Sequence, residues 1–196
     1  RGRIPKLVSI LVGEDPASVL YANLKKRAAE RIGCLLEIVR MPPDTQAREL
    51  VGEIRSLNKN ETVSGIMIQL PLPNGLKAST ADIIQEIDPH KDVDGLREDS
   101  PFLHPTSKAI LQIIEAAKGE GRVCVVGSTG MVGKPLVREL KRRGHEVSEC
   151  DSSTKNLKDK TSSADILISV TGEKNLIGKE MVKEGVPEEI AKSAAW

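Results

Sequence analysis

Val123-Cys124-Val125-Val126-Gly127-Ser128-Thr129-Gly130-Met131-Val132-Gly133 is a β-branched apolar run that ends in glycines and passes directly into a segment of helical apolar spacing. It reads as a strand (Val123–Val126), a tight turn and a helix over Val132–Arg143 closed by Gly144. Glycines in that setting let backbone approach a pyrophosphate at a helix N-terminus. The order is G-x-x-G-x-x-G rather than G-x-G-x-x-G, so taken alone the turn is equally a dinucleotide cradle or a purely structural bend. The next strand, Glu146–Cys150, runs into Asp151, near the roughly 20-residue offset at which a carboxylate accepts hydrogen bonds from an adenosine ribose. A plainer reading makes Asp151 a turn or cap residue among Ser152, Ser153 and Thr154. A carboxylate there repels a 2′-phosphate, and Lys155, Arg142 or Arg143 are placed in sequence to offset it, so NAD and NADP both stay open. A further strand is expected at Ile166–Val170.

Outward towards the N-terminus the same alternation recurs. Leu7–Gly13 (LVSILVG) is a strand followed at once by Asp15-Pro16, a capping acceptor with proline at the first helical position. The helix runs through Val19, Leu20, Leu24, Ala28 and Ile32 to a C-capping Gly33. Leu35–Val39 and Ser64–Gln69 are further strands, Gln46–Leu57 and Ala81–Ile87 further helices, and Pro89–Gly95 is a polar loop. After His104, Thr106 or Ser107 is expected to cap a linking helix that reaches about Ala117 and is broken by Lys118-Gly119-Glu120-Gly121. Strands alternating with helices predict parallel sheets. The fold expected is α/β with two domains, residues 1–104 and 105–196, the second Rossmann-like.

Composition narrows the function. The 196 residues carry 29 Lys plus Arg against 28 Asp plus Glu, a balance that argues against a nucleic-acid binder. Trp196, Tyr21 and Phe102 are the sole aromatics of the Phe, Trp and Tyr type, so base-stacking platforms cannot be assembled. Three cysteines, Cys34, Cys124 and Cys150, fit neither a disulfide framework nor a zinc site and point to a reducing, cytoplasmic setting. No apolar run approaches the roughly 18 residues of a membrane helix, and no apolar signal core opens the sequence. His90, His104 and His145 lie far apart with no nucleophile beside them, and the acidic residues show no metal-ligand spacing, so neither a hydrolytic triad nor a metal is expected.

Several polar residues of the first half are candidates for chemistry. Tyr21 and Lys25 stand at i and i+4 of the expected helix and share a face; alone, the pair reads better as a solvated surface with a tyrosine at the core edge. Gln69 closes a strand, where open parallel sheets bind ligands, or else it ties down the Pro71-Leu72-Pro73 turn. Asp92 and Asp94, with Lys91 nearby, form either a charged loop or a carboxylate site for the N–H donors of a heterocycle.

Taken together, Val12-Gly13-Glu14-Asp15-Pro16-Ala17-Ser18 with Tyr21 and Lys25, Gln69-Leu70-Pro71-Leu72-Pro73, Lys91-Asp92-Val93-Asp94-Gly95 and Val132-Gly133-Lys134-Pro135 resemble the methylenetetrahydrofolate dehydrogenase/cyclohydrolase family. The resemblance extends from about Leu7 to Val186. It implies an N-terminal folate-binding domain, a C-terminal dinucleotide domain, an active site in the cleft between them, and a homodimer. It also implies oxidation of 5,10-methylenetetrahydrofolate to the methenyl form with NAD(P)+, followed by hydrolysis to 10-formyltetrahydrofolate. On that analogy Lys25, Gln69 and Asp94 are catalytic, and Tyr21, Gln69, Leu70, Pro71 and Asp94 hold the tetrahydrofolate-derived substrate. Gly127, Ser128, Thr129, Gly130, Val132, Gly133, Asp151, Ser152 and Thr171 hold NADP or NAD. A lysine that handles a proton near neutral pH must be partly desolvated or stand beside a cation.

The departures from the family pattern also carry expectations. Ser128 stands where the family commonly has an arginine associated with the NADP phosphate, and Asp151 where a histidine is usual, which tilts the cofactor towards NAD. A segment with Asn and Gly between Gly95 and Pro105, and a Pro-Gly-Gly-Val-Gly region beyond Gly185, are missing. The abrupt junctions at Arg97–Phe102 and Val186–Pro187 suggest loop segments left out of the sequence. Two other classes compete: a two-domain oxidoreductase of the amino-acid or shikimate dehydrogenase type, and a non-catalytic dinucleotide-binding module.

Overall fold

In each half of the chain the first strand becomes the middle of a three-stranded parallel sheet. In the computed structural model, which describes residues 4–184, the chain divides into Arg1–Phe102 and Leu103–Trp196. In the first unit β1 (Lys6–Val12) lies between β2 (Leu35–Met41) and β3 (Gly65–Ile68). Ile10 pairs with Val39 on one side and Ile68 on the other. In the second unit β4 (Val123–Val126) lies between β5 (Val147–Cys150) and β6 (Ile166–Ser169). Central first strands with a neighbour on either side create a switch point at their C-terminal ends, the place where open parallel sheets bind ligands.

The two switch points share a backbone pattern. Gly13 follows β1 and donates to Met41 O at 2.9 Å, and Gly127 follows β4 and donates to Cys150 O at 2.8 Å. Both glycines are left-handed, with φ of 81° and 90°, a conformation that a side chain disfavours.

Helix α1 (Pro16–Arg31) begins as its sequence requires: the Asp15 carboxylate accepts from Ser18 N at 2.8 Å and Pro16 presets the first turn. That bond holds the Asp15 carboxyl below its usual range. Past its C-cap Ile32 stands Gly33, left-handed at φ 76°. Helix α2 (Ala47–Lys59) starts one residue later than expected, with Glu49 reaching back to accept from Gln46 N at 2.8 Å. Its stripe of Leu50, Ile54 and Leu57 packs on Val8, Ile10, Val12, Ile66 and Ile68. The opposite face of the sheet carries Leu36 and Met67 against Ala29 of α1. Two short helices come next, α3 (Asn74–Lys77) and α4 (Thr80–Gln85), the latter in place of the span Ala81–Ile87, and then a 3-10 turn, Pro89–Lys91.

In the second unit α5 (Pro105–Ala116) and α6 (Gly133–Arg142) bury Leu111, Ile114, Leu136, Val137 and Leu140 against Val123, Val125 and Ile168. The cap of α5 differs from expectation. His104 Nδ1 accepts from Thr106 N at 3.2 Å and Pro105 takes the first helical position, while the Ser107 hydroxyl is committed to Val132 O at 3.0 Å. A further helix, α7 (Leu157–Ser162), precedes β6. It covers the other face of the sheet, where Cys124, Val126 and Cys150 pack with Leu157.

Candidate functional site

Lys25 and Asp94 meet. The Lys25 ammonium donates to Asp94 Oδ2 at 3.3 Å, with the two side chains 32% and 16% exposed. Lys25 is placed by α1, whose Ala22 and Ala29 are buried in the core, so Lys25 stands at the margin between core and water. Its neighbour is a carboxylate rather than a cation. Tyr21, one turn earlier on the same helix, is half-buried.

Asp94 is delivered by a loop whose anchors sequence reading missed. Lys91 does not belong to a solvated charge cluster: its ammonium donates to Leu57 O, Asn58 O and Asn60 O at 3.1, 2.7 and 3.0 Å. It thereby satisfies carbonyls at the end of α2. Asp92 is fully buried. The role of Lys91 is not visible in sequence, because its partners lie more than thirty residues away.

Gln69 comes directly after β3 and its N–H continues the ladder to Ile10 O at 2.8 Å. Its Nε2 donates to Leu70 O at 3.3 Å, while its Oε1 is buried without a hydrogen-bond partner among the described residues. A buried acceptor left unpaired is costly, by about 1–3 kcal/mol, and this one is available to a donor from outside. Leu70, half-buried, and Pro71, exposed, continue from it through a cis peptide. No hydrogen bond links Gln69 to Lys25 or Asp94 among the described residues. A shallow concavity of about 340 Å³ on the outer side of α1, lined by Leu20, Asn23, Leu24, Lys26, Arg27 and Glu30, includes none of these residues.

In the second unit the glycine turn is built for close approach. A Cβ on Gly133 would overlap the carbonyl oxygen of Gly127, and one on Gly127 would lie 3.0 Å from Thr171 Cγ2. Gly130 N returns to Gly127 O at 3.1 Å. Thr129 and Gly130 are exposed, Val132 and Thr171 half-buried, and Ser152 exposed. Ser128 is buried, with its hydroxyl donating to Cys150 O at 3.1 Å, and thus fastens the turn to β5. A backbone cradle that side chains would fill, at a sheet switch point and opening α6, fits the pyrophosphate of a dinucleotide.

Asp151 accepts from Ser153 N at 2.9 Å, Ser153 Oγ at 2.7 Å and Thr154 Oγ1 at 3.3 Å, all on Oδ1. The Ser153 hydroxyl and N–H, with Thr154, hold the carboxyl below its usual range. The turn role is therefore present, and Oδ2 carries no hydrogen bond among the described residues. Arg142 and Arg143 are not where the offsetting of a 2′-phosphate needs them. Both are held by Glu139, with contacts of 2.7 and 2.8 Å. They also close α6, about 15 Å from its N-terminal turn at the usual rise per residue.

Among the described residues no group of three or more His, Cys, Asp or Glu side chains is placed to hold a metal ion, and no helix is long and apolar enough to cross a membrane.

Comparison with known proteins bears on both halves. Residues 1–94 match the catalytic domain of tetrahydrofolate dehydrogenase/cyclohydrolase, and residues 104–187 match its NAD(P)-binding domain. The bifunctional protein FolD of Methanosarcina barkeri is 40% identical over 198 residues, covering 94% of this chain and 68% of the relative. Among solved structures, the bifunctional methylenetetrahydrofolate dehydrogenase/cyclohydrolase of Campylobacter jejuni superposes with a TM-score of 0.84 at 33% identity, over 92% of this chain and 68% of that one. The Trypanosoma brucei enzyme complexed with NADP cofactor and inhibitor gives a TM-score of 0.83 at 27% identity, over 93% of this chain and 66% of that one. With two matching domain models in order and relatives of this identity and coverage, the chain belongs to the tetrahydrofolate dehydrogenase/cyclohydrolase family.

Proposed function

We propose that the chain oxidises 5,10-methylenetetrahydrofolate to 5,10-methenyltetrahydrofolate with NAD(P)+ and hydrolyses that cation to 10-formyltetrahydrofolate. Residues 1–104 act as the folate-binding catalytic domain and 105–196 as the dinucleotide-binding domain. The observation that carries the reading is the Lys25–Asp94 pair, 3.3 Å apart and half withdrawn from water. An oxidoreductase of the amino-acid or shikimate type, or a non-catalytic nucleotide module, accounts for the glycine turn but gives this pair nothing to do.

The nucleotide, when bound, supplies the hydride acceptor. The residues of the chain have the task of alignment: the glycine turn receives the pyrophosphate, and Tyr21, Leu70 and Pro71 pack on the folate so that its methylene carbon is presented without competing water. Gln69 Oε1, buried and without a partner among the described residues, accepts a donor from the folate. Asp94 accepts from the pterin edge, and doing so loosens its hold on Lys25. Lys25 then orients the water whose oxygen adds to the methenyl carbon; as the bond from that carbon to N5 breaks, one water proton passes to N5, the other leaves to solvent, and the oxygen becomes the carbonyl of the formyl group on N10.

The cofactor preference is set by charge. We infer NAD as the better substrate, supported by the Asp151 carboxylate, by Ser128 in place of an arginine, and by Arg142 and Arg143 bound to Glu139. The free thiols of Cys34, Cys124 and Cys150 fit a reducing, cytoplasmic setting, and the family resemblance supports a homodimer. Decay of the methenyltetrahydrofolate absorbance on adding enzyme without nucleotide tests the hydrolytic half: a rate above the spontaneous one is expected, and a rate equal to it removes the cyclohydrolase from the reading.

A further inference from the structure

The loop that brings Asp94 to Lys25 is closed by a second carboxylate to which the proposed reaction gives no task. Asp92 is fully buried. Withdrawing a carboxylate from water costs several kcal/mol unless hydrogen bonds compensate, yet only one of its oxygens is compensated. Oδ2 accepts from Arg97 N at 2.8 Å, and Oδ1 is buried without a hydrogen-bond partner among the described residues. The backbone oxygen of Asp92 accepts from Gly95 N at 3.1 Å and from Ser100 Oγ at 3.3 Å. Asp92 thus gathers the chain on the far side of Asp94, with Gly95 left-handed at φ 61° to make the turn.

Asp92 is itself fixed to the sheet. It pairs with Ile66 of β3 in a parallel bridge. Val93 fills the space beside Gly65, where any Cβ would overlap it, and Lys91 is fastened to the end of α2. The chain leading up to Asp94 is therefore rigid, and the bond from Arg97 N–H to Asp92 closes the turn on its C-terminal side.

We propose that Asp92 is a positioning residue for Asp94: by holding the Arg97 N–H it closes the turn from which Asp94 reaches Lys25. The proposal rests on the reading of Lys25 and Asp94 as the hydrolytic site. Displacing a group in such a site by about 1 Å is enough to lower turnover on the order of 100-fold. An amide at position 92 keeps the accepting oxygen, whereas a methyl group does not.

The test measures cyclohydrolase kcat and KM for the full chain carrying Asp92→Ala, Asp92→Asn, Asp94→Ala, and Asp92→Ala with Asp94→Ala. Asp92→Ala is expected to lower kcat/KM by about 100-fold, and Asp92→Asn to stay within about threefold of the parent. The double variant should be no slower than Asp94→Ala, because a residue acting only through Asp94 has nothing left to position. Parent-like turnover of Asp92→Ala overturns the proposal. So does a double variant slower than Asp94→Ala by the same factor that separates Asp92→Ala from the parent. Should Asp94→Ala itself keep parent rates, the reading of the site fails; an impaired Asp94→Ala beside an unimpaired Asp92→Ala defeats the positioning alone. If Asp92→Ala does not fold, Asp92→Asn decides: turnover within about threefold supports the proposal and a larger loss overturns it.

Discussion

Lys25, on the first helix, and Asp94, 69 residues later in a loop, share a hydrogen-bonded ion pair at 3.3 Å. The two side chains are 32% and 16% exposed, and on the proposed reading the value of the pair is chemical. The ammonium is held in one place by a carboxylate, which on the proposed reading a substrate with N–H donors draws away.

Replacing Lys25 with Met therefore separates the two reactions. Hydride transfer needs alignment alone and should remain measurable, whereas addition of water needs a group that handles a proton, and the cyclohydrolase should be lost. Parallel assays of both activities check this; equal loss of the two would make Lys25 a structural residue.

Gly133→Ala should damage the nucleotide half without touching the folate half. The new methyl group meets the carbonyl oxygen of Gly127, and overpacking of this kind costs about 1–3 kcal/mol. Dinucleotide binding is expected to weaken by about tenfold or more. Titration calorimetry and thermal denaturation measure the two effects, and cyclohydrolase activity should be spared.

Asp151→Asn removes the charge that opposes a 2′-phosphate while keeping the turn bonds to Ser153 and Thr154. The ratio of kcat/KM with NADP to that with NAD should rise by about tenfold. An unchanged ratio would leave Asp151 with its turn role only.

The Glu139 carboxyl is pushed down to about 2 from its ordinary 4.5, first by the Arg142 guanidinium and then by Arg143. A carboxyl whose folded value is depressed stabilises the fold above its unfolded value and loses that contribution as pH falls through the folded one. The thermal stability of the parent should exceed that of Glu139→Gln above pH 4.5, and the gap should close between there and about 2. Water screening of Arg142, 71% exposed, keeps the gap small.

Local rules carried much of the fold into view. Asp15-Pro16 and Gly33 bound α1 where capping chemistry puts them, and the β-branched runs at Leu7 and Val123 became the two central strands. Helix α7 escaped notice because Leu157–Ser162 is short and mostly polar and opens at Asn156 in a left-handed conformation, φ 60°. The site divides on the same line. Tyr21 and Lys25 announce themselves by helical spacing and Gln69 by its strand end. The anchoring of Lys91 on distant carbonyls, the burial of Asp92 and the commitment of the Ser128 hydroxyl to Cys150 are tertiary facts with no local signature. The expectation that Arg142 and Arg143 face a phosphate failed because proximity to Asp151 in sequence placed them at the wrong end of α6.

The central claim is tested most directly by monitoring the absorbance of reduced nicotinamide when the chain is mixed with 5,10-methylenetetrahydrofolate and either NAD+ or NADP+. Folate-dependent reduction, faster with NAD+, is the expected result, and absence of reduction with both nucleotides would contradict it.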